Sequence, residues 1–471
     1  MKYVSTRGNA PELGFEDVLL TGLARDGGLY VPKAWPSFSP DEIAALAGKS
    51  YCEVAYQVMT PFVGGEIPAD EFRAIIEDAY ASFSHKAVVP LVQLTANDWL
   101  LELFHGPTLA FKDVAMQVLG RLMDRALQAR GARATIIAAT SGDTGGAAIE
   151  AFKGRDAIDV FVMFPDGRVS DVQRRQMTTP TEANVHTIAL EGHFDDCQDM
   201  VKALFNDHEF RDSMRLAGVN SINWGRIMAQ VVYYFTSAVA LGAPRRRVSF
   251  TVPTGNFGDI FAGFVAKRMG LPIEQLVIAS NENDILDRMM KTGRYEMRGV
   301  TATSSPSMDI QISSNFERLL FEVMGRDARG VGRKMDGLRQ SGAFTVDKEA
   351  LTALRQDLGF SSGSCSEAET AAMIKSAKHD YGMIIDPHSA VALHVAAGLE
   401  RDPAIPMVIL STAHPAKFPA VIEAALGSPP AAPQIITRQR MMTERQQRLA
   451  NDMSEVMKFI ETRSRAARRE P

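Results

Sequence analysis

Between residues 134 and 412 short apolar runs recur: ATIIAAT at 134–140, DVFVMF at 159–164, VHTIAL at 185–190, VSFTV at 248–252, LVIAS at 276–280 and MVILST at 407–412. Each is rich in Val, Ile or other large apolar residues, and about 10–15 residues of helix-like pattern follow. Strands that are apolar on both faces belong to parallel sheets covered by helices on both sides, so an α/β fold is expected. The first 90 residues differ. They read as helices joined by turns, with Pro40-Asp41-Glu42 and Pro68-Ala69-Asp70 as helix starts. At the other end, the proline-rich break GSPPAAP (427–433) precedes a charged stretch, 443–469, that reads as a terminal helix. The expected division is therefore a helical module over 1–90, a core over 91–428 with a smaller unit near 115–235, and a linker plus helix over 429–471.

Composition narrows the function classes. At 471 residues, 46% hydrophobic and 23% charged, the chain exceeds what one compact core usually organises. A net charge of -5, from 51 basic and 56 acidic residues, provides no electrostatic basis for binding nucleic acid or a membrane. A small-molecule substrate is expected, for a monomer or homodimer. The three cysteines, Cys52, Cys197 and Cys365, are too widely spaced for a disulfide framework or a zinc cluster, so no metal is expected and reducing cytoplasm is the expected compartment. The amino terminus lacks a charged stretch leading into an apolar run, and no apolar segment reaches membrane-spanning length.

Three segments carry candidate chemistry. TGNFGD (254–259) ends a strand and opens a helix, so its backbone N–H groups and the helix dipole suit a phosphate. SGDTGG (141–146) does the same at a second strand end, where the hydroxyls of Ser141 and Thr144 suit a substrate carboxylate. Either turn alone also fits plain strand-to-helix packing. In ELFHGPTLAFKDVAMQ (102–117), Lys112 stands at a helix start after an apolar stretch, a setting that lowers an amine's pKa as a Schiff-base lysine requires.

Together HGPTLAFKD, TSGDTGGAA, TGNFGD and STAHPAKFP resemble the threonine synthases of pyridoxal 5'-phosphate (PLP) fold type II, the tryptophan synthase β-like fold with large and small parallel-sheet domains. YVSTRG (3–8), DVLLTGLARDGGLYVP (17–32), NSINWGRIMAQ (220–230) and PSMDIQISSNFERLLFE (306–322) are similar to the longer branch of that family, and the resemblance runs from residue 3 to about 420. It implies a PLP-binding catalytic core in which Lys112 holds PLP covalently. Gly255, Asn256, Phe257, Gly258 and Asp259 then surround its phosphate, Asp259 through backbone N–H or as a helix cap, and the Thr412 hydroxyl meets the pyridine nitrogen. Ser141 and Thr144 receive the substrate carboxylate, and Asn220, Ser221 and Arg226 its phosphate, unless Arg226 forms a structural ion pair. Asp143, where other members of the fold carry asparagine, is expected to cap its helix or turn away from the carboxylate. Lys417 is expected to reach solvent or an interface. The implied reaction is γ-elimination of phosphate from O-phospho-L-homoserine followed by addition of water at Cβ, giving L-threonine.

Two other classes compete. One is another fold-type-II activity, such as a serine or threonine dehydratase or a cysteine synthase, which has no need of an arginine-bearing second phosphate site. The other is a non-catalytic PLP carrier or nucleotide-binding module, but GxxxxGK[ST] is absent and neither glycine turn reads GxGxxG.

Overall fold

The computed structural model describes residues 1–140 and 142–466. All six apolar runs are strands, divided between two sheets. The larger sheet has the order Phe360–Ser364, Ile273–Ser280, Val248–Pro253, Met407–Ser411, Asp98–Glu102 and Leu91–Gln93, parallel throughout except for the last pair. The smaller has the order Gln447–Leu449, Val185–Leu190, Ile158–Pro165, Ala134–Ala139 and Leu216–Ala217, all parallel. Ile158–Pro165 is buried along its whole length, as expected of a strand with neighbours on both sides and helices on both faces.

The amino-terminal region is mainly helical, with Phe15–Thr21, Tyr51–Val63 and Ala69–Tyr80 as its main helices. It also contains an antiparallel pair, Tyr3–Ser5 with Tyr30–Pro32, which the helical reading did not include. Ser39 and Ser50 form capping boxes with Glu42 and Glu53, so two helix starts are locally specified. This region packs on Trp224, whose ring lies 5.7 Å from that of Tyr3 and 5.6 Å from that of Phe62. The fully buried Arg318 secures the join. It donates to the Tyr30 carbonyl at 3.0 Å, to the Ile222 carbonyl at 2.6 Å and to the Asn315 side chain.

The carboxy-terminal segment differs from the expected linker and helix. Gln447–Leu449 adds an edge strand to the smaller sheet, and the helix is confined to Met453–Arg463 within the described residues. Asp452 sets its start by accepting from the N–H groups of Ser454 and Glu455. Residues 467–469 of the predicted helix lie outside the described residues. Val456, Phe459 and Ile460 cover Phe161, Met163 and Ile188 of the smaller sheet. Ile460→Ala, at a fully buried position, is expected to destabilise this unit by about 2–5 kcal/mol, visible as an earlier thermal transition by differential scanning fluorimetry.

Candidate active site

The carboxyl ends of the strands bring the described sequence-predicted residues, among them Lys112, Thr144, Gly255–Asp259 and Thr412, to one place, where open α/β sheets bind ligands. Lys112 is the first residue of the helix Lys112–Ala129. The segment before it is tied to the Met407–Ser411 strand end: Leu103 N–H donates to the Ser411 carbonyl at 2.9 Å and Phe111 N–H to that of Thr412 at 2.8 Å. The motif HGPTLAFKD holds its own shape. Asp113 accepts from both the N–H and the hydroxyl of Thr108 at 2.7 Å, and a Cβ on Gly106 would come within 2.5 Å of Asp113, so glycine permits the close turn. Burial pushes the Asp113 carboxyl up to about 7, against the lowering effect of the two Thr108 hydrogen bonds.

Lys112 is 8% exposed. Its Nζ donates to Ser307 Oγ at 3.2 Å and lies 3.5 Å from Asp143 Oδ2. Burial brings the amine down to about 8; the Asp143 charge opposes this, and Lys417 and Arg226 add to the lowering.

Two expectations need correction. Asp143 does not cap its helix. Its Oδ1 accepts from Lys417 Nζ at 2.7 Å and from Gln173 Nε2 at 2.9 Å, because Gly142, at φ 150°, turns the chain so that the side chain enters the site. Burial alone would raise its pKa, but the charges of Lys417 and Lys112 outweigh that and hold it well below the usual carboxylate range. Lys417 does not reach solvent. It is fully buried, since the short turn Pro415–Lys417, capped by His414, directs it inward to Asp143 and to the Thr108 carbonyl, 2.7 Å away.

The TGNFGD turn fits a phosphate. The N–H groups of Gly255 through Asp259 donate to no protein acceptor among the described residues, and Phe257 adopts φ 62° at the start of the helix Gly258–Arg268. A bulky residue in the left-handed region is strained, and strain of this kind is characteristic of ligand-binding turns. The Asp259 side chain turns away, to the hydroxyls of Tyr233 at 2.5 Å and Tyr234 at 2.9 Å, leaving only its N–H for the turn. Burial raises its pKa to about 6. Thr412 is buried at the end of its strand, beside Phe111.

Arg226 is 4% exposed and has no carboxylate partner among the described residues. The only hydrogen bond of its guanidinium among the described residues is a long one, 3.4 Å, to the Val219 carbonyl, and Nε has none. Burial lowers its pKa to about 10. A structural ion pair therefore does not account for it, whereas a bound anion would. Ser221 is half-buried with its carbonyl accepting from Asn315 Nδ2 at 3.2 Å, and Asn220 is exposed on the same turn. Thr144 lies in the first turn of the helix Asp143–Phe152, and Ser141 lies outside the described residues.

The comparisons agree with this geometry. Residues 2–80 match the family description "Threonine synthase N terminus", 85–409 "Pyridoxal-phosphate dependent enzyme" and 389–460 "Threonine synthase, C-terminal". The chain is 52% identical to the threonine synthase of Pseudomonas aeruginosa over 98% of each chain. This chain belongs to the threonine synthase family. It is also 42% identical to the threonine synthase of Methylobacillus glycogenes, over 98% of this chain and 99% of the other. Among solved structures, PLP-bound threonine synthase from Brucella melitensis superposes with a TM-score of 0.97 at 60% identity, covering 99% of this chain and all of that one. Yeast threonine synthase superposes with a TM-score of 0.93 at 39% identity, over 98% of each. The fold is thus PLP fold type II, and the chain is a PLP-dependent enzyme.

Sequence reasoning about this threonine synthase family member missed several participants. Gln173 and Ser307 carried no role, and the segment 306–322, noticed only as a resemblance, backs the phosphate turn: Ser313 Oγ donates to the Gly255 carbonyl at 2.6 Å and Asn315 N–H to that of Asn256 at 3.0 Å. Nothing local in the sequence signals these pairings. A cavity of about 620 Å³, lined by Arg247, Lys267, Glu274 and Arg355, lies at the opposite, amino ends of the strands and contains none of the site residues. Cys365, Glu369 and His394 place potential ligand atoms within 4.8 Å of one another, but burial pushes the thiol up to about 11 and Glu369 is committed to a capping box with Ser366.

Two outcomes are expected. In the PLP-free protein, carbamoylation of Lys112 by cyanate, followed by mass spectrometry, should rise with pH about a midpoint near 8, because only the neutral amine reacts and half of it is neutral at its pKa. Gly255→Val should retain PLP about tenfold less well after dialysis, since its Cβ would come within 2.7 Å of the Ser307 carbonyl. A Cβ on Gly258 meets nothing closer than 3.4 Å, so Gly258→Ala should retain it far better.

Proposed function

We infer that this chain converts O-phospho-L-homoserine and water into L-threonine and phosphate, with Lys112 carrying PLP. The observation that best supports this reading over other activities of the fold is Arg226, a buried guanidinium without a carboxylate partner among the described residues, in the same site as the cofactor lysine.

Bound PLP supplies an electron sink for charge developing on substrate carbon. The chain's own residues determine position and proton handling. Lys112 anchors the cofactor and, when free, acts as general base: with its pKa near 8, roughly one-tenth of it is neutral at pH 7, about two hundred times more than for an ordinary lysine. Asp143 is also paired with Lys417, so Lys112 can lose its charge without leaving a buried carboxylate unpaired. The backbone N–H groups of Gly255 to Asp259 would hold the cofactor phosphate, the Thr412 hydroxyl would supply a hydrogen-bond partner for its ring nitrogen, and the turn with Ser141 and Thr144 would receive the substrate carboxylate.

Arg226, with Asn220 and Ser221, holds the substrate phosphate and stabilises the charge it gains on leaving. Phosphate kept there is available to accept and return a proton while water adds at Cβ. No described helix is long and apolar enough to cross a membrane; the reading is completed by a cytoplasmic location and a monomer or homodimer.

The test is simultaneous measurement of phosphate release and threonine formation from O-phospho-L-homoserine, with serine as the comparison substrate. Lys112→Ala should abolish turnover with the fold intact by circular dichroism. Arg226→Leu should keep the cofactor's absorbance while kcat/KM falls at least about tenfold, because charge-assisted hydrogen bonds to phosphate contribute about 1.5–3 kcal/mol each. Unchanged kinetics in that variant would exclude Arg226 from the phosphate site, and preferential turnover of serine would favour a dehydratase.

A further inference from the structure

Beside Lys112 lies a chain of hydrogen bonds built from two segments far apart in sequence. Asp386, fully buried, caps the helix Pro387–Ala397 and accepts from His388 Nδ1 at 2.8 Å. His388 is 3% exposed, with its ring packed 5.2 Å from that of Phe418. Its Nε2 accepts from the backbone N–H of Ser307 at 3.3 Å. A backbone N–H can only donate, so Nε2 carries no hydrogen and the ring proton sits on Nδ1, directed at Asp386. Ser307 Oγ in turn accepts from Lys112 Nζ at 3.2 Å.

Ser307 therefore meets three parts of the site at once. Its hydroxyl meets the lysine amine, its N–H meets His388, and its carbonyl lies where a Cβ on Gly255 would be 2.7 Å away, against the phosphate turn. We propose that Ser307 is a further catalytic residue, the acceptor that orients the amine of Lys112, and that His388, fixed by Asp386, positions Ser307. No proton leaves the serine in this role: the hydroxyl accepts from an N–H of Lys112 and its own hydrogen stays on oxygen. The inference concerns the lysine amine and rests on Lys112 being the cofactor lysine.

Alternative causes of any change at the amine are identifiable. The charged groups facing Lys112 are Asp143 from the helix Asp143–Phe152, Arg226 from the helix Trp224–Ala240 and Lys417 from the turn Pro415–Lys417. His388 is faced by Asp386, and His414 and Lys417 stand on the neighbouring turn. None of these is altered by a change at Ser307. A hydrogen bond accepted from the ammonium favours the charged form, so removing the acceptor must lower the pKa of the amine.

The experiment uses the full-length chain freed of PLP, with Lys112 carbamoylation by cyanate followed by mass spectrometry across pH, and the same proteins reloaded with PLP for kinetics. Ser307→Ala is expected to move the midpoint down by roughly half to one pH unit. In the reloaded enzyme kcat should fall about tenfold with KM nearly unchanged, since an orienting contact to the base is lost and substrate binding is not. His388→Leu should reproduce the shift, and His388→Gln, which keeps an acceptor for the Ser307 N–H, should restore most of it. A folded Ser307→Ala protein with the wild-type midpoint would overturn the role of Ser307. Equal midpoints in His388→Leu and His388→Gln would overturn the positioning role of His388, and decide the matter even if Ser307→Ala fails to fold.

Discussion

The carboxylate of Asp143, buried and shared between Lys417 and Lys112, is the contact on which the rest of the site depends. Removing a charge from water costs several kcal/mol, and two lysines and an arginine are buried here beside Asp143 and Asp113, the latter with its carboxyl pushed up to about 7, so cations outnumber ionised acids. Lys417 meets Asp143 at 2.7 Å and Lys112 meets it at 3.5 Å, so Lys417 is the tighter partner and Lys112 the one that can change its charge. The excess of positive charge that remains suits a doubly anionic occupant. The phosphate of PLP supplies such charge, and both the N–H groups at 255–259 and the Arg226 guanidinium lack an anionic protein partner among the described residues.

That electrostatic arrangement requires precise backbone placement, and parallel sheets provide it. The segment 103–111 runs beside the end of the strand Met407–Ser411 through hydrogen bonds at Leu103, Leu109 and Phe111, placing Lys112 close to Thr412. Thr108 links the lysine motif to Lys417 through its carbonyl and to Asp113 through its N–H and hydroxyl. The turn at 220–223 is held by Asn315 and Arg318, and Arg318 also reaches the amino-terminal strand at Tyr30. The amino-terminal region thus supports, at one remove, the turn that presents Arg226.

The chain's own pattern determined a large part of this. Six apolar runs became six strands because a strand buried on both faces must be apolar throughout, and the glycine turns and the lysine motif follow from local rules about φ, helix starts and N–H groups. The family resemblance then assigned the residues to roles. Where the reading failed, it did so at contacts between distant segments. Asp143 was expected to cap its helix or turn away from the carboxylate, because aspartate at a helix start usually caps, and Lys417 to reach solvent or an interface, because lysine is usually exposed. Their pairing joins positions 143 and 417, and only the tertiary structure places one beside the other.

The edge strand at 447–449 has the same explanation. Three residues in a charged segment carry no strand period, and the hydrogen-bonding edge of Val185–Leu190 recruits them. Hydrophobic pattern and turn chemistry are properties of neighbouring residues, so the sequence by itself determined most of the elements, the two glycine-rich turns and a lysine at a helix start. Electrostatic pairing and buried hydrogen bonds, among them Asp143 with Lys417 and Asp386 through His388 to Ser307, depend on which side chains share a low-dielectric space. Packing decides that, and local pattern does not record it.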